Sequence, residues 1–452
     1  MRAAAVALAS VVVMGGSVGA RGWSASAEPG LLPPVVVGEP APRGLHLSEV
    51  AVGGDGTATL GWLMGTRSRR VQVATRAPGA AAFGPVQTLD PGGRWGPYAP
   101  SVAAAADGTA VAAWVAIAGD YDRAAVWAAI RPAGGTSFDP ARRLTGVGRF
   151  PGLPRVALND AGRAVVAWSG RRGVRAAVLA PGSRAFSTPQ GLRSLLRDLA
   201  EPSYLDNFLG ADVEINERGD ALVVWAGIDK HYRYVVQSAS LTAVSAVFGA
   251  TGRVVRVPGE LWTFGAELDD VGNATVVWNA SDFVHDDVAM VLRPVGGAFG
   301  QPVTLTPGRR QGVWPVIDSD GDSVAVVFSE WARRERGGLR VVSWSGAPPI
   351  AGLASTPLAG SRGTPEHTIA VGPGGRTVVV WAGVGNAGPY LRSAYRATAG
   401  APFVRLPDVV DMENPFVDGV AADFDDQGNA TVGWREHGER DVIRSTVLGT
   451  AG

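Results

Sequence analysis

Seven times along this chain a tryptophan follows a glycine at a distance of six residues: Gly56/Trp62, Gly108/Trp114, Gly162/Trp168, Gly219/Trp225, Gly272/Trp278, Gly375/Trp381 and Gly428/Trp434. Gly321/Phe328 fills the gap in the series, so successive aromatic positions lie 52, 54, 57, 53, 50, 53 and 53 residues apart. A fixed period of that length marks stacked supersecondary units, none of which buries a core alone. The 452 residues are therefore expected to hold eight copies of one unit in one closed array, running from about residue 50 to the C terminus.

Aligned on the aromatic position, each repeat divides into four short segments. The first is a strand ending in an acidic turn, as in Arg155 to Asn159 before Asp160-Ala161-Gly162. The second is an apolar run ending in the aromatic residue, such as Thr377-Val378-Val379-Val380-Trp381. Its two alternating faces are both apolar, which places it inside a layered structure. A third strand follows a variable loop, for example Leu391 to Arg396, and a fourth is expected to begin at Phe83, Phe138, Phe186, Phe248, Phe299 or Phe403. Four antiparallel strands in about 53 residues make one propeller blade, and the segments are too short and too β-branched for helix pairs. The fold class read here is all-β, an eight-bladed β-propeller of four-stranded antiparallel blades.

The last repeat stops after its third strand, Asp441 to Val447. Leu31 to Val37 precedes the first inner strand as Phe83 to Leu89 precedes the second, so this N-terminal strand is expected to complete the last blade and lock the ring. The repeat glycine supplies a positive-φ hairpin position beside ordinary acidic turn residues, and the tryptophan fills the wedge between blades.

Residues 1–27 read as a signal peptide, with one early arginine, an apolar run and Ala25-Ser26-Ala27 before Glu28; Gly19-Ala20 is a second cleavage position and a retained anchor the competing reading. Residues 28–452 are then one propeller domain, expected to be secreted, monomeric and free of the membrane after cleavage. The chain has no cysteine, so packing and ring closure must hold it together without disulfides. With 18% charged residues and a formal net charge of zero, nothing favours disorder or a nucleic-acid partner. Lys230 is the sole lysine among the cations, which we read as a compositional bias toward arginine.

The repeat resembles those of secreted bacterial β-propellers, and its acidic turn, glycine and aromatic are similar in arrangement to the Asp-box repeats of the sialidase group. The resemblance covers nearly the whole mature chain and is architectural. An Asp box sets glycine three residues before its tryptophan, and Ser319-Asp320-Gly321-Asp322 and Asp425-Asp426-Gln427-Gly428 both depart from that pattern. Ala41-Pro42-Arg43-Gly44 stands where sialidases carry an Arg-Ile-Pro motif, so no catalytic residue carries over.

Function on such a frame belongs to variable loops. The blade-to-blade loops carry Arg94, Trp95, Tyr98, Arg149, Phe150, Trp262, Trp314 and Arg362, expected to ring one face as ligand-binding residues, stacking on sugars or side chains and gripping carboxylates. The competing reading is that the aromatics cover blade edges and the arginines are solvated. Loops after the tryptophan hold acids such as Asp122 and Asp286, candidates for acid–base work on an anionic glycan. No zinc spacing is present, and the acids around Asp318–Asp322 and Asp423–Asp426 read as tight-turn residues before calcium ligands, so no metal or cofactor is expected. Asn273 and Asn429 match the glycosylation sequon but sit at hairpin turns. The leading expectation is a non-catalytic propeller that binds a protein or polysaccharide partner on its loop face; the alternative is a carbohydrate-active enzyme of sialidase-like or lyase-like type.

Overall fold

The computed structural model describes residues 30–449 except 42, 67–68, 90–94, 99, 120–122, 171–172, 194–209, 283, 309, 333–334, 347–352, 362–365, 386–387 and 410–415. Residues 1–27, read as a signal peptide, lie outside the described residues. The strands form eight antiparallel sheets, which are the blades of a β-propeller. Blade 1 runs from its inner strand outward as Leu45–Val52, Ala58–Met64, Arg70–Arg76 and Gln87–Thr88. Inner strands of the other blades begin at Ser101, Arg155, Ala211, Glu260, Arg310, Glu366 and Phe416.

The second strand of each blade is the most deeply packed element. Ala110–Ile117 and Ala274–Ser281 are buried at every position, because blades cover both faces of each sheet. The repeat aromatics Trp62, Trp114, Trp168, Trp225, Trp278, Phe328, Trp381 and Trp434 are each 0–2% exposed. Each joins a cluster drawn from its own blade and the blade before it; Trp225, for example, packs with Val165, Val174 and Leu192 of blade 3. All eight repeat glycines have positive φ, between 60° and 96°, at the hairpin between the first and second strands. An L side chain is strained there.

The ends of the chain meet as the sequence requires. Val35–Ala41 and Gly30–Leu31 pair antiparallel with Asp441–Gly449, so the N-terminal segment forms the outer strand of blade 8. Val37 and Ala41 are buried on this seam, and ring closure leaves blade 8 without an open outer edge there.

The fourth strands begin later than the phenylalanines suggested: at Gln87, Arg142, Gln190, Gly252, Val303 and Val404. In four of these blades a contact invisible in the hydrophobic pattern holds the ring ahead of the strand. Arg76, Arg131, Arg293 and Arg396, each ending a third strand, stack over Phe83, Phe138, Phe299 and Phe403 at 5.6, 5.7, 5.2 and 5.1 Å, which fixes the ring before the strand can start. The same guanidiniums tie each blade to the one before. Arg131 donates to Thr75 at 2.6 Å, Arg293 to Ser240 at 2.8 Å and Arg396 to Ser343 at 2.6 Å, while Arg76 closes the ring by donating to Thr431 of blade 8 at 2.7 Å.

Candidate binding face and central channel

The inner strands surround a channel, and one edge of each strand turns its backbone toward it without a neighbouring strand to pair with. Backbone N–H groups in that position need an acceptor. Carboxylates supply it across the blade boundaries: Glu49 accepts the Val102 N–H at 2.6 Å, Asp212 that of Ala266 at 3.0 Å, Asp318 that of Val371 at 2.6 Å and Asp423 that of Val52 at 2.7 Å. Ser101 does the same for Val156 at 3.1 Å. A second ring closes the turn end of the channel, where Asp160 accepts the Ala106 N–H at 2.5 Å and Asp270 that of Glu217 at 2.9 Å. Side chains thus replace the missing strand-to-strand ladder.

The result is a polar cavity of about 520 Å³ lined by ten carboxylates and, among the described residues, a single cation, Arg155. Burial raises most of these acids, several with help from neighbouring carboxylates. Glu214, Glu267 and Asp318 stand well above the usual carboxylate range, with burial the larger cause and neighbouring carboxylates the second. Burial likewise pushes Asp423 to about 7 and Asp320 to about 6. Among the described residues no three His, Asp or Glu side chains are placed to hold a metal ion.

Asp318 and Asp423, read from sequence as turn acids, are instead strand residues facing this channel. Asp425 does cap its turn, accepting the Asn429 N–H at 2.7 Å. Asn273 likewise belongs to its turn, bonded to Asp269 at 2.8 Å and to the Val295 N–H at 2.9 Å. Sequence reasoning missed the channel acids as a set. Their signal was present: Glu214, Glu267 and Asp423 lie 11 residues before the repeat tryptophan and Glu49 and Asp212 lie 13 before it, in otherwise apolar strands.

At the opposite end the channel opens onto the loop face. Four inner strands carry β-bulges there, between Leu47 and Glu49, Leu261 and Thr263, Val313 and Val316, and Asp418 and Ala421. A bulge breaks the in–out alternation and re-aims the extra side chain. In consecutive blades 5 and 6 that side chain is an indole: Trp262 is 44% and Trp314 43% exposed. Trp314 holds φ at 54°, a region that bulky L residues seldom occupy, and His367 of blade 7 bonds its carbonyl at 2.9 Å. Phe416 of blade 8 is also exposed, beside the His437 ring at 5.4 Å. His437 bridges Asp418 at 2.8 Å and Asp441 at 3.4 Å, and Asp418 takes both guanidinium arms of Arg435 at 2.5 and 2.6 Å.

The other expected ligand residues have different surroundings. Tyr98 and Phe150 meet edge to face at 5.5 Å with Arg69 over Tyr98 at 4.9 Å, joining blades 1, 2 and 3. Trp95 packs on Trp127 at 5.7 Å within blade 2. Arg149 is exposed beside Phe150. Arg94, Arg362 and Asp122 lie outside the described residues. Asp286 opens the third strand of blade 5, pairing in register with Ser281 away from the channel wall.

No family model matches the chain and no curated protein matches it. Solved structures similar to it include a protein of unknown function from Dyadobacter fermentans DSM 18053 (13% identity, TM-score 0.45, 93% of this chain and 99% of that one). Others are the β-propeller domain of the Trilobed protease from Pyrococcus furiosus (11%, 0.45, 82% and 100%) and the polysaccharide lyase Uly1 (9%, 0.44, 89% and 90%). At such identities these likenesses assign no chemistry to this chain; its class, an eight-bladed β-propeller, rests on its own strand pairing.

Proposed function

We propose that this protein is a secreted, non-catalytic propeller that binds a polysaccharide across its loop face. The observation that carries the reading is the pair of exposed indoles, Trp262 and Trp314, turned outward by bulges on consecutive inner strands. All seven repeat tryptophans are sealed in blade interfaces, so these two stand out by position and not by abundance. A flat aromatic face excluded from the core is suited to the C–H face of a sugar ring, and two on adjacent blades are spaced for an extended ligand. The ring of carboxylates beneath them supports binding on the face, because its oxygens are already engaged by backbone N–H groups.

The test is binding of the purified protein to a glycan panel, followed by titration of the best ligand against Trp262→Ala and Trp314→Ala. Each substitution is expected to weaken binding roughly tenfold, on the scale of one lost aromatic stack, with folding unchanged. Unaltered affinity in both variants would remove the reading. The second reading, a carbohydrate-active enzyme, draws on Asp320 and Asp423, which burial brings to about 6 and 7, the range of a general acid. It requires release of sugar or unsaturated product from the bound glycan and loss of that turnover in Asp320→Asn.

A further inference from the structure

Among the described residues three other than glycine hold a positive φ: Arg43, Tyr232 and Trp314, at 125°, 60° and 54°. Two of the three are exposed aromatics on the loop face. Tyr232 sits in the turn between the second and third strands of blade 4, Ala221–Ile228 and Tyr234–Leu241, at the end of the sheet opposite the glycine hairpin. It is 76% exposed, so packing in the core does not account for it. A left-handed φ strains a bulky side chain, and asparagine or glycine would hold the same turn with less strain. Strained residues cluster at ligand sites, where their surroundings over-determine the conformation.

The surroundings of Tyr232 do so. Asp229 Oδ1 accepts the His231 N–H at 2.8 Å and the Arg233 N–H at 3.1 Å, while Oδ2 accepts from Arg233 Nε and Nη2 at 3.1 and 3.0 Å. The Tyr232 N–H closes the turn on the Asp229 carbonyl at 2.9 Å. The ring therefore stands on a fixed mount with little backbone freedom left to lose on binding.

That mount lies beside Trp262. Tyr234 packs on the same core cluster as Leu261 of blade 5, and its hydroxyl is raised by burial first and then by the Glu260 carboxylate, two residues before Trp262. On the other flank Gln311 Nε2, on the inner strand of blade 6 that carries Trp314, donates to the Val284 carbonyl of the blade 5 loop at 3.0 Å. Asp282 clamps that loop as Asp229 clamps its own, accepting the Val284 and His285 N–H groups at 2.9 and 2.7 Å. Tyr232, Trp262 and Trp314 thus stand in order on three consecutive blades. The turns of blades 4 and 5 also expose Lys230, His231 and His285. Separate rings among polar groups suit the C–H faces and hydroxyls of a sugar chain, whereas a protein interface would need a continuous apolar core.

We infer that Tyr232 is a third stacking platform, so that the loop face takes a long stretch of linear polysaccharide laid across blades 4, 5 and 6. The inference rests on the glycan reading above and adds the form of the ligand: a chain engaged along its length, beyond what the two indoles cover.

The experiment titrates the full protein with size-fractionated oligomers, from disaccharide to decasaccharide, of the panel polysaccharide that binds best. Affinity should climb with length until all three rings are covered. Tyr232→Asn should weaken the longest oligomer about tenfold, leave the shortest bound oligomer unaffected on its indoles, and melt at or above the wild-type temperature because asparagine tolerates this φ. Tyr232→Phe, which keeps the ring, should bind as the wild type does. Opposite signs for binding and stability separate a platform from a structural residue. Affinity that does not change with length, or wild-type affinity of Tyr232→Asn for the longest oligomer, overturns the third platform while the glycan reading stands. So does a lowered melting temperature with equal weakening of short and long oligomers, which would make Tyr232 a support of the fold. If no glycan of any kind binds, both fall.

Discussion

Trp225 and Trp262 are the same residue on neighbouring blades with opposite duties. Trp225 is fully buried against blade 3, so Trp225→Ala should destabilise the protein by roughly 3–5 kcal/mol, measured by denaturant unfolding. Trp262 is 44% exposed, and its removal should change stability by no more than about 0.5 kcal/mol while weakening glycan binding. The channel acids allow a second residue-scale test. Asp318 accepts the Val371 N–H through one oxygen and is crowded by burial and by Asp423. In Asp318→Asn the amide oxygen still accepts that N–H but carries no charge. The variant should melt higher than the wild type at pH 8 and equally at pH 5; a lower melting temperature at pH 8 would show that charge at this position is needed.

Among elements, the N-terminal strand is the one whose contribution is most separable. Val35–Ala41 covers the outer edge of Asp441–Gly449, and Thr446 donates its hydroxyl to the Leu32 carbonyl. Deleting residues 30–41 uncovers that edge and the Ile443 core, so amide exchange should rise first in residues 441–449 and the chain should aggregate on heating. Protection of 441–449 equal to the intact protein would mean that closure is not what holds blade 8. The arginine–phenylalanine steps between blades are the other element-scale device. They hold the phenylalanine ahead of the fourth strand in four blades, and they assign a structural role to four arginines that composition alone reads as a bias toward arginine. Only the folded chain brings Arg131 beside Thr59 and Thr75 of the preceding blade.

For the whole molecule, the channel makes stability depend on pH with a definite sign. Asp423 and Asp320 are raised to about 7 and 6 in the folded state, and Glu49, Asp212, Glu214, Glu267 and Asp318 are raised as well. Between their ordinary values near 4 and these raised ones the folded state binds more protons than the unfolded, so stability falls as pH rises through that window. Below it, Asp418 and Asp229, held down by Arg435 and Arg233 contacts, lose their pairing on protonation. The melting temperature should therefore peak in mildly acidic buffer, above pH 4, and drop by several degrees toward pH 8. A melting temperature that climbs steadily from pH 5 to 8 would contradict the raised acids.

The eight-blade count, the order of strands, the positive-φ hairpin glycines and the closing N-terminal strand were all legible in the chain, because each follows from a local pattern repeated at one period. Tertiary structure alone decided the rest. Glu49 and Val102 face each other only once neighbouring blades pack, and Asp423 and Val52 only once the ring has closed; the carboxylate needed there is set by an unpaired backbone N–H that no sequence pattern displays. Trp262 and Trp314 share the spacing of scaffold aromatics to within a few residues, yet a one-residue bulge in each inner strand turns them from core to surface. Periodicity specifies what repeats; the channel and the binding face arise where blades meet and where the repeat is broken.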